Sequence, residues 1–372
     1  MGMIFNSTLK KIGRKFIPKQ ANHPSLSFLY NKSCTIESNV NPLVNDEIEY
    51  QKRVRGINNF KFNEGHFRFN QSYFLAEINK VYVEPTYGIA IKGFSAIIEE
   101  TVFFDWYNVS KRFYLKTRIF SPRKIVHLQA AVMFDCAVGL NYFHFYNDII
   151  SKLEVIKEGY FARDTPLIIG KRIWLSMQFQ FFMQFPAFKQ YNWFILESDR
   201  LLFVNKLYYI KAKQYDYTAI NNIAGLAKAK KSHKLGEASA TEKIFINRRP
   251  TSGRFINNFV EVELALIKHG FKVVYLEDHT IDQQMYLIKN AKIIIGIHGA
   301  GLTNLIYANR NECKFIEIMP INYMPTHYYW LASVFQVNYK TFIGNELNSL
   351  YSFSLDIPRF GEFLNSKDVG TE

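Results

Sequence analysis

The sequence predicts an α/β protein built as two halves, each a parallel sheet wound with helices, facing each other across a cleft. Three observations lead there. From residue 243 onward, short apolar runs alternate with amphipathic stretches that stop on glycine. A coarser version of the same alternation runs over 81–215. Between them, residues 211–241 (KAKQYDYTAINNIAGLAKAKKSHKLGEASAT) lose the aromatic density and gain Ala and Lys, as a linker would. Strands alternating with helices imply right-handed crossovers and a doubly wound sheet, and ligands of such sheets bind at the carboxyl ends of the strands.

The bulk properties fit this class. The chain has 372 residues, of which 48% are hydrophobic and 16% aromatic. That supplies one large or two mid-sized cores at roughly 100–200 residues per domain and excludes disordered and fibrous classes. The net charge of +14 is concentrated in two places. Lys10, Lys11, Arg14, Lys15, Lys19 and Lys32 stand in the first 36 residues with no acid, and Lys206, Lys211, Lys213, Lys228, Lys230, Lys231 and Lys234 stand against Asp216 alone. Such local excess points to an anionic partner: a lipid surface, an acidic glycan or a phosphate backbone. Cys34, Cys136 and Cys313 form no C-x-x-C pair, so neither a disulfide framework nor a zinc site is expected, and a reducing compartment is the simpler reading. The longest uncharged runs, Ile173–Phe188 and Ile293–Asn309, fall short of the ~20 apolar residues of a spanning helix. The start, MGMIFNSTLKKIGRKFIPKQ, mixes apolar residues with bases and reads as a short amphipathic surface helix rather than a secretion signal. Asn6 stands where myristoylation at Gly2 wants Ser or Thr.

Taken in order, residues 1–80 show no long period and are expected to form an irregular extension. Strands are expected at Ile125–Phe134, Leu167–Ile169, Phe194–Leu196 and Leu201–Ile210. A helix is expected over Asn141–Gly159, where Phe145, Ile149, Leu153 and Ile156 recur at helical spacing, and another over Arg172–Phe185. The aromatic run Trp174–Phe188, with Phe179, Phe181, Phe182 and Phe185, reads as core rather than a stacking surface. After the linker come strand Lys243–Asn247, helix Phe259–His269, strand Phe271–Leu276 and a helix opened by the capping box Thr280-x-x-Gln283. The run Ile293–Ile297 (IIIGI) reads as a strand buried on both faces. A short helix from Leu302, strand Lys314–Met319 and helix Tyr328–Gln336 follow. The domains expected are an extension over 1–80, a first Rossmann-like domain over 81–215, a linker over 216–241, a second Rossmann-like domain over 242–345 and a tail over 346–372 that packs back.

Three stretches carry chemistry. GIHGAGLTN, Gly296–Asn304, follows the most apolar strand. Its three glycines and Ala300 leave no bulk at the strand-to-helix turn, so backbone N–H groups and a helix terminus can face a diphosphate. The spacing is neither G-x-G-x-x-G nor a P-loop. NRRPTSGRFINN, Asn247–Asn258, clusters Arg248, Arg249 and Arg254 at the end of another strand, and the guanidinium fork matches phosphate. Phe315–Pro320 (FIEIMP) places Glu317 late in a buried strand, where a carboxylate can accept ribose hydroxyls. The bland alternatives are a tight packing turn, a solvated charged turn and a paired structural glutamate.

These stretches, with GF-x-VV, the DQQ helix and A-x-III-G-x-HGAGLTN, resemble glycosyltransferase family 61. The family includes certain protein O-GlcNAc transferases, plant xylosyl- and arabinosyltransferases and many bacterial capsule enzymes. The resemblance is dense over 243–340 and extends to NYFHFYND, Asn141–Asp148, which is similar to the family's H-x-x-x-D element. It implies a GT-B-type fold of two Rossmann-like domains and an inverting transfer from a nucleotide sugar, usually UDP-linked. By position it implies that Arg248, Arg249 and Arg254 hold the diphosphate, that His298, Gly299, Ala300, Gly301, Leu302, Thr303 and Asn304 line the nucleotide pocket, and that Glu317 takes the ribose. The sequence departs from the family pattern at Asn258 and Asn147, which bears on the acceptor side.

An inverting transfer needs a base for the acceptor hydroxyl. His144 and Asp148 are four apart on one helix and share a face, so His144 is the candidate base, oriented by Asp148, with Asp148 itself second. No H-E-x-x-H and no D-x-D near a strand end is present, so no metal ligand and no cofactor beyond the donor is expected. The expected function is a metal-independent transfer of a GlcNAc- or xylose-type sugar from a UDP-sugar to a glycan or lipid-linked glycan. The setting expected is the cytoplasm, at the inner membrane face, in bacterial capsule or lipopolysaccharide synthesis, because the basic start suits an anionic membrane surface. Two other classes use the Lys-rich segments differently: a nucleic-acid binder, which leaves HGAGLTN without a role, and a catalytically silent glycan-binding relative.

Overall fold

The computed structural model describes residues 26–38, 67–85, 88–92, 95–97, 124–229 and 242–369. The basic amphipathic start and the stretch 230–241 of the expected linker lie outside the described residues. The chain divides into two compact units, residues 1–34 with 71–214 and residues 35–70 with 215–372.

The sheet of the first unit is mixed. Its strands include β1 (Ser27–Ser38), β2 (Phe67–Glu84), β3 (Ile89–Lys92), β4 (Ser95–Ile97), β5 (Lys124–Met133), β6 (Leu167–Gly170), β7 (Trp193–Leu196) and β8 (Arg200–Lys211), in the order β4-β3-β2-β8-β5-β6-β7 with β1 on β2. Strands β8, β5, β6 and β7 are parallel, as expected. Strands β2, β3 and β4 are antiparallel additions, so the purely parallel sheet expected for this half is corrected to a mixed one. The strand β2 falls largely where an irregular extension was expected. Its Phe74, Ala76 and Ile78 alternate into the core with Val204, Leu207 and Tyr209, partners far away in sequence.

The helix expected over 141–159 is present as Tyr142–His144, a π-helical turn Phe145–Ile150 and Lys152–Lys157. Asn141 caps it by accepting from the backbone N–H groups of Phe143 and His144, and Gly159 closes it at φ +78°. The single helix expected over 172–185 is three short ones, Lys171–Trp174, Met177–Phe182 and Pro186–Lys189. Ser176 caps the second and Pro186 opens the third, and both interrupt a continuous helix. Phe179, Phe181, Phe182 and Phe188 are buried, so the aromatic run is core.

The second unit carries β9 (Lys243–Ile246), β10 (Phe255–Ile256), β11 (Lys272–Val274), β12 (Ile293–Ile297), β13 (Lys314–Pro320), β14 (Asn338–Gly344) and β15 (Ser352–Phe353). Five of these form an all-parallel sheet in the order β11-β9-β12-β13-β14, and β10 and β15 pair separately. The chain starts at β9, steps outward to β11, then crosses to β12 on the other side. The order therefore reverses between β9 and β12, the switch point at which open α/β sheets open a crevice. Helix Ile281–Asn290 begins with the expected capping box of Thr280 and Gln283. On one face, helices Phe259–Lys268 and Ile357–Asn365 cover a core of Phe245, Val262, Leu266, Ile295, Ile297, Ile316, Phe342, Phe360 and Phe363. On the other, the 3-10 segment Ala300–Tyr307 is surrounded by helices Ile281–Asn290, His327–Phe335 and Tyr217–Ala229.

Two segments read as linker and tail are thus integral. In Tyr217–Ala229, Ile220, Ile223, Ala224 and Ala227 form a buried stripe at helical spacing. In the last segment, Phe353, Leu355, Phe360, Phe363, Leu364 and Val369 enter the core.

Candidate active site

The best-formed polar cluster of the second unit lies at the carboxyl ends of β9, β12 and β13. Because the strands are parallel, the residues that follow them emerge along one edge: Asn247–Arg249 after β9, His298–Gly299 after β12 and the loop bearing Tyr323 after β13. Arg248 is fixed there by its own loop. Its Nε donates to Gly253 O at 2.9 Å and its Nη2 to Ser252 O at 2.6 Å. The remaining nitrogen, Nη1, passes so close over Gly299 that a Cβ there would stand 1.6 Å from it. Gly299 is extended at φ 173°, so the glycine serves close approach rather than backbone conformation.

Gly296 plays the matching part beneath, where a Cβ would meet Leu302 Cδ2 at 2.5 Å and Ile246 Cβ at 3.3 Å. Burial and the charge of Arg254 pull the Arg248 guanidinium down to about 10. Two cations held together in a partly dry cleft favour an anion.

Arg254 follows Gly253, and both have positive φ, +55° and +64°. For a non-glycine residue that backbone costs of order 1–3 kcal/mol and is retained where the surroundings impose it. Here β15 imposes it. Arg254 N donates to Tyr351 O at 2.5 Å, Asn257 N to Phe353 O at 2.8 Å, and the Asn258 amide donates to Leu355 O at 2.8 Å while accepting from Leu355 N at 3.1 Å. The departure at Asn258 thus clamps the last segment of the chain. The Arg254 side chain lies over the Tyr323 ring, 5.4 Å from its centroid, with Nη1 3.2 Å from the phenol oxygen.

His298 and Glu317 form a buried pair. His298 Nδ1 is 2.5 Å from Glu317 Oε1, and the Tyr339 hydroxyl donates to Glu317 Oε2. Burial raises Glu317 to about 8, against the lowering effects of Tyr339 and Arg254. Burial, with Arg254 and Arg248, holds His298 well below the usual imidazole range. Burial thus favours the uncharged form of both partners, with the shared proton on Glu317. A protonated Glu317 donates to Nδ1, which leaves the His298 proton at Nε2 as a donor. The imidazole is lined by Tyr323, His327 and Tyr328, with centroids 5.8, 6.1 and 5.2 Å away.

The structure therefore brings Arg248, Arg254, His298, Gly299 and Glu317 together. Both oxygens of Glu317 are occupied and its side chain is inaccessible, so it holds His298 instead of facing a ribose. Arg249 turns away, donating to Asp278 Oδ2 at 2.7 Å beside Glu277 and Tyr275. Ala300 and Gly301 are half-buried, whereas Leu302, Thr303 and Asn304 are buried beneath the loop. The Asn304 amide donates to Gln284 Oε1 at 2.9 Å, and Gln284 in turn donates to Leu276 O and His279 O. Asn304 thus secures the loop from below.

Sequence reasoning missed Tyr323, His327, Tyr328 and Tyr339. The run INYMPTHYYW after the carboxyl end of a buried strand was the available signal for the first three, whereas Tyr339 lies apart on β14.

In the first unit, the other candidate pair joins His144, at the end of helix Tyr142–His144, to Asp148 in the π-helical turn that follows. His144 Nδ1 lies 2.6 Å from Asp148 Oδ2, and Asp148 Oδ1 accepts from Gln214 Nε2 at 2.9 Å and Asn147 Nδ2 at 3.4 Å. Asp148 is buried, while the His144 side chain keeps 19% of its surface. Isolated π-turns in helices frequently mark functional positions. Sequence reasoning also missed Asp135, two residues beyond β5, fully buried with Oδ2 accepting from Gly170 N at 2.8 Å and Arg172 near Oδ1 at 3.6 Å.

The family model for glycosyltransferase 61 matches residues 142–316, from the helix of His144 to the residue before Glu317. Over this stretch the chain is similar to glycosyltransferase family 61. The human protein O-linked-mannose beta-1,4-N-acetylglucosaminyltransferase 2 is 34% identical to this chain over 82 residues, 21% of this chain and 14% of that protein. The chain thus aligns with about a seventh of the length of that relative. Among the described residues no three His, Cys, Asp or Glu gather closely enough to hold a metal ion, and no helix is long and apolar enough to cross a membrane.

Proposed function

We propose that this protein is an inverting glycosyltransferase of family 61 that moves a sugar from a UDP-linked donor to a hydroxyl of a glycan acceptor. The observation that carries the reading is the meeting of Arg248 and Arg254 with His298 and Gly299 at the switch point of a parallel sheet. In the proposed reaction the acceptor oxygen attacks C1 as the bond from C1 to the diphosphate breaks. Arg248 Nη1 and the Arg254 guanidinium take the charge that develops on the leaving diphosphate, and His298 Nε2–H adds a neutral donor. The exposed ion pair of Arg249 is worth about 0–1 kcal/mol, so a bound diphosphate can draw that side chain in.

In the first unit Asp148 holds Nδ1 of His144, which leaves Nε2 to take the acceptor proton. With two arginines meeting the diphosphate, the proposed reaction runs without a metal ion. The GT-B-type arrangement, with the donor on the second unit and the acceptor on the first, is part of the same proposal. An N-acetylglucosamine-type donor is supported by the name of the human relative. A cytoplasmic site of action at the inner membrane face, on a lipid-linked glycan of a bacterial capsule or lipopolysaccharide, is supported by the basic start of the sequence.

The test is a thermal-shift series with UDP, GDP, CMP, dTDP and their sugars, followed by turnover on whichever stabilises. Ligand at a hundred times its Kd stabilises by about 2.7 kcal/mol. Saturable stabilisation by UDP that disappears in Arg248→Ala is expected. No shift with any nucleotide refutes the proposal.

A further inference from the structure

The Lys-rich stretch 206–234 is only partly explained by the site above. Lys206 pairs with Glu77, and Lys211 Nζ reaches Ser72 Oγ. Lys228 behaves differently. It lines a hollow of about 140 Å³ between helices Tyr217–Ala229 and Ile281–Asn290, with Lys289, Tyr286, Asn290 and Met285 in the wall. Asp282 is the carboxylate in that lining, and among the described residues neither Lys228 nor Lys289 is ion-paired with it or with any other acid.

A third cation stands close by. Arg310 is gripped without a carboxylate, donating to Tyr217 Oη and Asn221 Oδ1, its guanidinium 4.8 and 4.9 Å from the Tyr217 and Phe335 ring centroids. Elsewhere in the described chain, cations such as Lys157, Lys171 and Lys292 take acids as partners. Here burial, Arg310 and Lys289 together hold the Lys228 ammonium below the usual lysine range. Gathering like charges around a concave, partly dry surface is unfavourable unless an anion is taken up.

We propose that this hollow is an oxyanion site that takes a phosphate group, gripped by Lys228 and Lys289 under the field of Arg310. Lysine suits the task because its ammonium binds phosphate as a point charge from any direction. The aromatic wall from Tyr286 and the apolar floor from Met285 and Ala227 suit an organic phosphate, a phosphoester whose carbon portion rests on them. The sequence continues with Lys230, Lys231 and Lys234. The site is separate from the arginine cluster and stands or falls independently of the nucleotide reading.

The experiment titrates inorganic phosphate into the full-length protein at constant ionic strength held with chloride, read by calorimetry and by thermal stabilisation. In an Arg248→Ala background, where the arginine cradle is weakened, saturable binding is expected to remain and to weaken at least tenfold when Lys228→Gln/Lys289→Gln is added. Lys289 is exposed, so Lys289→Gln alone keeps the fold and is expected to show most of the loss if the double variant does not fold. Co-sedimentation with phosphatidylcholine vesicles containing phosphatidic acid separates the sources. Binding lost in the lysine variants assigns the site to a lipid phosphate, whereas loss of soluble phosphate binding alone assigns it to a soluble phosphoester. Phosphate binding unchanged in the lysine variants, or no greater than the chloride control, overturns the proposal.

Discussion

Replacing Gly299 by alanine isolates the contact on which the nucleotide reading rests. Gly299 is extended, so alanine meets no backbone strain there. The whole effect comes from the added methyl, which would stand 1.6 Å from Arg248 Nη1 and 2.8 Å from its Cζ. Either the guanidinium swings away from Ser252 O and Gly253 O, or the loop moves. Forcing one methyl into a packed site costs about 1–3 kcal/mol of stability. Hydrogen bonds to a charged group are worth about 1.5–3 kcal/mol, so an Arg248 displaced from the diphosphate weakens UDP binding by about 10- to 100-fold. Calorimetric titration with UDP of wild type, Gly299→Ala, Arg248→Ala and the double variant checks this. The double variant should bind like Arg248→Ala alone, because the glycine acts only through the arginine. Full UDP affinity in a folded Gly299→Ala, or losses that simply add, would refute the reasoning.

Other outcomes follow from the same geometry. His144→Ala should lower transfer by about 10²–10⁴ while UDP binding stays intact, and Asp148→Asn should act through the same step; unchanged turnover removes His144 as the base. Glu317 binds its proton more tightly in the folded state, so its contribution is complete at low pH and is lost as pH rises toward about 8. His298, held low, opposes this only below its ordinary value of 6.5. Stability should therefore decline between about pH 6.5 and 8, and urea unfolding should find that decline absent in Glu317→Gln; an identical slope in the variant contradicts the protonated pair. Transfer should survive EDTA, and abolition with rescue by Mn²⁺ contradicts the metal-independent step.

The second unit was legible because its signals are local. The IIIGI strand, the glycine loop after it and the Thr280 capping box each declare themselves within a few residues, and the structure keeps all three. What the sequence hid depends on distant partners. Strand β2 reads as irregular until β8, more than a hundred residues later, supplies its register. Glu317 reads as a ribose ligand until the pairing of Gly296 with Glu317 on neighbouring strands sets it under His298 and Tyr339 adds a donor from β14. Arg249 was indistinguishable from Arg248 in sequence, yet Asp278 takes one and the Gly253 turn takes the other. The helix over 217–229 was hidden by its composition, since alanine and lysine suit a linker as well as a helix with a narrow buried stripe.

The clamp of residues 351–355 on Arg254, Asn257 and Asn258 has a consequence for how the molecule is made. The backbone that aims Arg254 is held by bonds to carbonyls and an amide of residues 351–355. A growing polypeptide still attached to the ribosome therefore lacks the partner that bends this loop until about a hundred further residues have been joined. Nascent chains cut short before Tyr351 would retain HGAGLTN and all three arginines and still lack the partners that bend the Arg254 loop. The arginine loop is thus set only after residues 351–355 have been made.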